Sequence, residues 1–123
     1  MATARLEHVN LRVSDIERSA ALFEKLCGWH QRWRGAAIHG GETIHCGEQE
    51  TYLALYSKNE SLERFKKGEP LMHVGIVVDD LDHAESVVSD AGLLPFNHGD
   101  YEPGRRFYFL DWDGIEFEVV SYE

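Results

Sequence analysis

Glu7-His8-Val9-Asn10-Leu11 and Met72-His73-Val74-Gly75-Ile76 are two copies of one design, each a histidine on a short apolar strand. Each is followed by an acidic turn, Ser14-Asp15-Ile16-Glu17 in the first copy and Asp79-Asp80-Leu81-Asp82 in the second, then by a helical stretch and a glycine. A chain that repeats one supersecondary unit builds its fold from two equivalent modules, so the two histidines become equivalent positions. Period-two alternation in the first strand sets Val9, Leu11 and Val13 on one face and His8, Asn10 and Arg12 on the other. The apolar set packs under a helix and the histidine faces away from it.

Helical spacing of Ile16, Ala20, Phe23 and Leu26 predicts a helix from about Asp15 to Leu26, opened by a Ser14/Glu17 capping box and closed at Gly28. In the second copy Ala84, Val87, Val88 and Ala91 predict a helix from about Leu81 to Ala91, ending before Gly92. Residues 50–56 read as a strand. Phe107–Leu110 and Ile115–Ser121 read as a hairpin turned by Asp111-Trp112-Asp113-Gly114. The expected fold is α+β: two tandem βαβββ modules, 1–56 and 71–123, forming a cupped mixed β-sheet around a central cavity with helices outside. The polar segment 57–70 is the expected linker, with Leu62 and Phe65 suggesting one short helix.

A shift of 65 residues carries His8 onto His73, and a shift of 64 carries Ala54 onto Glu118. The four symmetric positions thus hold two imidazoles, one carboxylate and one methyl group. Two imidazoles and a carboxylate from separate strands suit a divalent cation with coordination positions left open for water or substrate, whereas Ala54 cannot ligate. Tyr52 and Tyr56 share the parity of Ala54 and are expected to line the same cavity.

Composition removes several other classes. Twelve Lys and Arg against 22 Asp and Glu give a formal charge of −10, a poor match for nucleic acid or an anionic membrane surface. Cys27 and Cys46 lack CxxC spacing, which argues against a disulfide framework or thiolate zinc site and for a reduced, cytoplasmic setting. No apolar run approaches the ~18 residues of a membrane span, and residues 1–5 do not open a leader. Trp29-His30-Gln31-Arg32-Trp33-Arg34 reads as a strand leaving the first helix rather than a basic patch. His30, His39, His45 and His83 are assigned no role.

The paired modules and the closing run Phe107-Tyr108-Phe109-Leu110-Asp111-Trp112-Asp113-Gly114-Ile115-Glu116-Phe117-Glu118 resemble the vicinal oxygen chelate superfamily. That group includes glyoxalase I, fosfomycin-resistance proteins, type I extradiol dioxygenases and bleomycin-resistance binding proteins. The resemblance implies His8, His73 and Glu118 as ligands of one divalent ion per site, with Fe, Zn, Ni or Mn not distinguished. It also implies a small-molecule substrate and a homodimer. Trp112 replaces the family's usual proline, and Ala54 stands where glyoxalase I has a fourth ligand, so the three-ligand branches are the better match.

Tyr108, ten residues before Glu118, resembles a tyrosine that those branches keep beside the metal, where its phenol can donate to a substrate oxygen. His98, ten residues before Tyr108, resembles a histidine of the extradiol enzymes. His98, Glu102 and Arg106 stand where fosfomycin-type proteins carry lysine and serines, which argues against that drug as the substrate. Residues 97–106 read as a loop and candidate lid, with Arg105 and Arg106 available to hold an anionic group. The function expected is lyase, isomerase or addition chemistry on a small oxygenated metabolite. An Fe(II) dioxygenase and a non-catalytic drug-binding protein are the alternatives.

Overall fold

A computed structural model of the chain describes residues 2–102 and 104–123. It divides into two units, Met1–Leu62 and Glu63–Glu123. Both repeat the order strand, helix, three strands, and each forms a four-stranded mixed sheet.

In the first unit β1 (His8–Arg12), α1 (Ile16–Cys27), β2 (His30–Ala36), β3 (Glu42–Gly47) and β4 (Tyr52–Ser57) give the sheet order β1-β4-β3-β2. β1 and β4 are parallel and the other pairs antiparallel. Ile16, Ala20, Leu22, Phe23 and Leu26 bury one stripe of α1, which packs on β3 and β4 over Ile44, Cys46, Leu53 and Leu55. Gly28 closes the helix at φ 70°, its N–H reaching the Glu24 carbonyl at 3.0 Å. The helix start differs from the expected capping box. Asp15 is the cap, accepting from the Arg18 backbone N–H at 3.0 Å, while Glu17 pairs with Arg34 at 2.8 Å. An aspartate one position further along offers a charged acceptor and displaces Ser14 from the role.

In the second unit β5 (Val74–Val77), α2 (Leu81–Asp90), β6 (Phe96–Tyr101), β7 (Gly104–Leu110) and β8 (Glu116–Ser121) give the order β5-β8-β7-β6. Asp80 caps α2 through the His83 backbone N–H, and Ala84 and Val88 are fully buried beneath it. Phe107, Phe109 and Phe117 are likewise fully buried, the last two stacked at 5.2 Å. The expected loop at 97–106 is instead most of the β6–β7 hairpin, with Pro103 outside the described residues. Its glycines and acidic residues suit an exposed edge strand as well as a loop, and pairing with β7 decides between them.

The expected linker does not contain the short helix that Leu62 and Phe65 suggested. Phe65 instead donates its N–H to the Asp113 carbonyl at 2.8 Å, tying this stretch to the β7–β8 turn within the second unit. That turn is built on Asp111. Its Oδ1 accepts from the N–H groups of Asp113 and Ile115, both at 2.9 Å, and Gly114 follows at φ 86°.

Asp111 is buried, and burial holds its carboxyl above the usual carboxylate range despite those two hydrogen bonds. A folded-state value raised above the unfolded one gives a contribution fully present below the unfolded value of ~3.9 and lost as pH rises through the folded one. Asp111→Asn keeps the acceptor oxygen without the charge. Urea unfolding is expected to show this variant at least as stable as wild type at pH 7, with the difference shifting toward wild type as the pH falls to about 3.

Candidate metal centre

The strand ladders bear out the symmetry read from the sequence. Asn10 pairs with Ala54 and Ala54 with His45 in the first unit; Gly75 pairs with Glu118 and Glu118 with Tyr108 in the second. His8 and His73 each stand two residues before the first member of these rows, and Ala54 and Glu118 occupy the same place on the closing strand.

In the second unit the β7–β8 hairpin carries no register shift, so Tyr108 and Glu118 lie directly opposite on one face. His73 brings its Nε2 to within 3.1 Å of Glu118 Oε1, and Tyr108 meets the imidazole edge-on at 5.8 Å. The other Glu118 oxygen accepts from Arg106 Nη1 at 2.7 Å. Arg106 also donates to the Gly104 carbonyl at 3.1 Å and lies under the Tyr101 ring at 4.5 Å. Both side chains of the pair are nearly buried, 12% exposed for Arg106 and 13% for Glu118. Arg106 is thus committed to holding the carboxylate. Burial, then the neighbouring Glu118 charge, raises the Tyr108 phenol above its ordinary value, which keeps it protonated at neutral pH.

Two expected neighbours are elsewhere. A register shift between Phe96 and Gly99, with Asn97 at φ 52°, turns His98 toward α2. There Nε2 meets Glu85 at 2.9 Å and the ring lies against Phe107, on the sheet face opposite Tyr108. Arg105, odd in parity like Phe107, pairs with Asp82 at the start of α2 at 3.1 Å. His98 and Arg105 thus line a pocket against α2, with Asp82 and Glu85, rather than the face that carries Glu118, while Arg106 reaches Glu118.

The first unit places His8, Tyr52, Ala54 and Tyr56 on the face away from α1. Tyr52 stacks on His8 at 4.9 Å and on His45 at 4.6 Å. A bulge between Gln31 and Trp33 sends two successive β2 side chains to this face, so Arg32 covers Tyr52 at 4.3 Å and Trp33 meets His45 at 5.2 Å. Burial, followed by the charges of His8 and Arg32, depresses the His45 value and favours its neutral ring. Tyr56 is occupied locally, donating to the Ile38 carbonyl at 3.1 Å.

Sequence reading missed His45 beside Tyr52 in the first unit, and Glu116 and Lys67 beside His73 in the second. Glu116 is two residues before Glu118 on the same face of β8; its Oε1 accepts from Lys67 Nζ at 2.9 Å and its Oε2 is 3.6 Å from His73 Nδ1. Equal parity with Glu118 was the signal available for Glu116. His45 was recoverable by extending the internal repeat to the middle strands, where it matches Tyr108.

Among the described residues no group of three or more His, Cys, Asp or Glu side chains is gathered closely enough to hold an ion. The donor chemistry in the second unit nonetheless fits a divalent metal. An imidazole nitrogen and a carboxylate oxygen face one another, each with its remaining polar atom turned toward another side chain, and a third donor is needed to complete a site.

The Glyoxalase/Bleomycin resistance protein/Dioxygenase superfamily model matches residues 5–119. The chain belongs to that family. It is 25% identical over 116 residues to the Serratia marcescens protein named glutathione transferase FosA, covering 93% of this chain and 78% of that one. Among solved structures it is similar to the glyoxylase/bleomycin resistance protein/dioxygenase domain from Frankia sp. EAN1pec, at TM-score 0.82 and 21% identity over 98% of both chains. It is also similar to an E126Q mutant of the fosfomycin resistance protein FosX from Listeria monocytogenes, complexed with Mn(II) and 1S,2S-dihydroxypropylphosphonic acid. That match has TM-score 0.73 and 16% identity over 98% of this chain and 93% of that one.

No helix among the described residues is long and apolar enough to cross a membrane.

Proposed function

We propose that this chain is a divalent-metal-dependent enzyme acting on a small metabolite through two neighbouring oxygens, with His73 and Glu118 of the second unit as protein ligands. The observation that carries this reading is the opposition of His73 Nε2 and Glu118 Oε1 at 3.1 Å, with the Tyr108 phenol beside them on the same face. A divalent ion bound by such ligands supplies Lewis acidity to the substrate oxygens. Fe, Zn, Ni and Mn all accept this nitrogen and oxygen set, so the screen covers each. Support comes from the similar FosX mutant, whose structure contains Mn(II) and a dihydroxypropylphosphonic acid, and from FosA, named as a transferase.

The chain's own residues would do the rest. Arg106 keeps one Glu118 oxygen occupied, leaving the other for coordination. Tyr108, protonated at neutral pH, is suited to donate a hydrogen bond or a proton to a substrate oxygen rather than to remove one. Lyase, isomerase or addition chemistry fits such a donor. Of the two residues that motivate the Fe(II) dioxygenase alternative, Tyr108 stays opposite Glu118 and His98 is turned toward α2, which favours the first reading. We include the homodimer in the proposal.

A panel of epoxides, vicinal diols and hydroxy acids, tested with protein loaded separately with each metal, examines this reading. Tyr108→Phe is expected to retain its metal and lose about 100-fold in kcat on whichever substrate turns over. Metal-loaded protein that binds panel members tightly at 1:1 but turns none over, or a Tyr108→Phe variant with full activity, would contradict the catalytic role.

A further inference from the structure

Glu116 is a buried carboxylate, its side chain 6% exposed, on a strand face that otherwise presents Glu118. Placing two carboxylates two residues apart and nearly out of water is unfavourable unless each meets a specific partner. One Glu116 oxygen has Lys67, which is 42% exposed, and the other is directed at His73 Nδ1 at 3.6 Å. His73 therefore stands between two carboxylates, with Nδ1 toward Glu116 and Nε2 toward Glu118.

We infer that Glu116 is a positioning residue: it draws the His73 Nδ1–H, fixes the ring orientation, and leaves the Nε2 lone pair for the divalent ion, with Lys67 anchoring Glu116 from behind. This inference rests on the metal reading above. Its basis is the asymmetry of the imidazole: a neutral ring donates from one nitrogen and accepts at the other, so once an ion is bound by Glu118 and Nε2, the Glu116 carboxylate beside Nδ1 is the acceptor that holds the ligating tautomer. The first module supports the same division of labour by a different contact. His8 pairs in register with Tyr52, the position equivalent to Glu116, which stacks on the ring at 4.9 Å, while His8 Nδ1 meets the neighbouring Glu7 carboxylate at 2.9 Å.

The present 3.6 Å separation is slightly longer than a hydrogen bond. A modest rotation of the imidazole toward Glu116 would shorten it while opening the 3.1 Å gap between Nε2 and Glu118, the direction an entering ion requires.

The test uses the full chain in three forms, wild type, Glu116→Gln and Glu116→Leu. Mn(II) and Zn(II) affinities are measured by chelator competition, and the His73 ring-nitrogen shifts by long-range proton–nitrogen NMR of the Zn(II)-loaded protein. Glu116→Leu is expected to bind 10- to 100-fold more weakly, with the His73 Nδ1 shift moving as its N–H loses the carboxylate acceptor. Glu116→Gln keeps an acceptor for Nδ1–H and is expected to lose less than the leucine variant. Thermal unfolding of the glutamine variant guards against a folding defect. Wild-type binding with both variants within twofold of it and His73 shifts unchanged would overturn the positioning role alone. A wild-type protein that takes up neither ion would overturn the metal reading and this role with it.

Discussion

Replacing Glu118 by alanine is expected to abolish stoichiometric divalent-metal binding and to destabilise the metal-free protein. Both effects arise from one carboxylate with two differently committed oxygens, Oε1 facing His73 at 3.1 Å and Oε2 accepting from Arg106 at 2.7 Å. The stability loss belongs to Arg106. Its guanidinium is 12% exposed and its Nε is buried without a hydrogen-bond partner among the described residues, so removing Glu118 leaves a nearly buried cation with the Gly104 carbonyl and the Tyr101 ring. Separating the two effects requires the double variant Glu118→Ala/Arg106→Met. Removing both charges is expected to restore most of the stability but none of the metal binding, as urea unfolding and metal titration would show. Full metal occupancy in Glu118→Ala would assign the carboxylate to Arg106 alone.

Phe109→Ala is expected to cost about 4 kcal/mol, read as the shift in urea midpoint at unchanged slope. Phe109 is fully buried, lies between Phe107 at 6.5 Å and Phe117 at 5.2 Å, and is followed two residues later by the buried Asp111 turn. Three buried rings on adjacent strands β7 and β8 leave little room for collapse around the missing one, so the cavity term adds to the lost transfer energy. Phe109→Leu keeps most of the volume and is expected to lose about 1.5 kcal/mol. Phe109 lies on the helix side while Tyr108 and Glu118 project from the other. Its replacement by leucine should therefore leave the metal affinity near wild type, in contrast to any change at Glu118.

The repeat was legible because both modules use the same local chemistry. Aspartates one residue before Ile16 and Leu81 cap the helices, and alternation separates His8 from Leu11. The closing strand was legible as well, since Asp111 and Gly114 carry a turn signal that depends on their own backbone conformations. What escaped depends on pairing between distant segments. His98 kept the right spacing from Tyr108, but the bulge before Gly99 reversed its face, and spacing alone does not record a bulge. Arg106 looked like a free anion-binding group until its even parity on β7 placed it across from Glu118's strand. Glu116 was read only as part of a motif. Its partner Lys67 lies in a segment without regular structure, where periodicity carries no information.

If His73 and Glu118 ligate the ion, removing the His73 imidazole removes the affinity. In calorimetric titration of chelator-treated wild type and His73→Ala with Mn(II), Fe(II), Ni(II) and Zn(II), wild type is expected to bind one ion per chain and His73→Ala at least 100-fold more weakly, with the fold intact by circular dichroism. Equal affinity in the two proteins, or no uptake of any of the four ions by wild type, would contradict this ligand set.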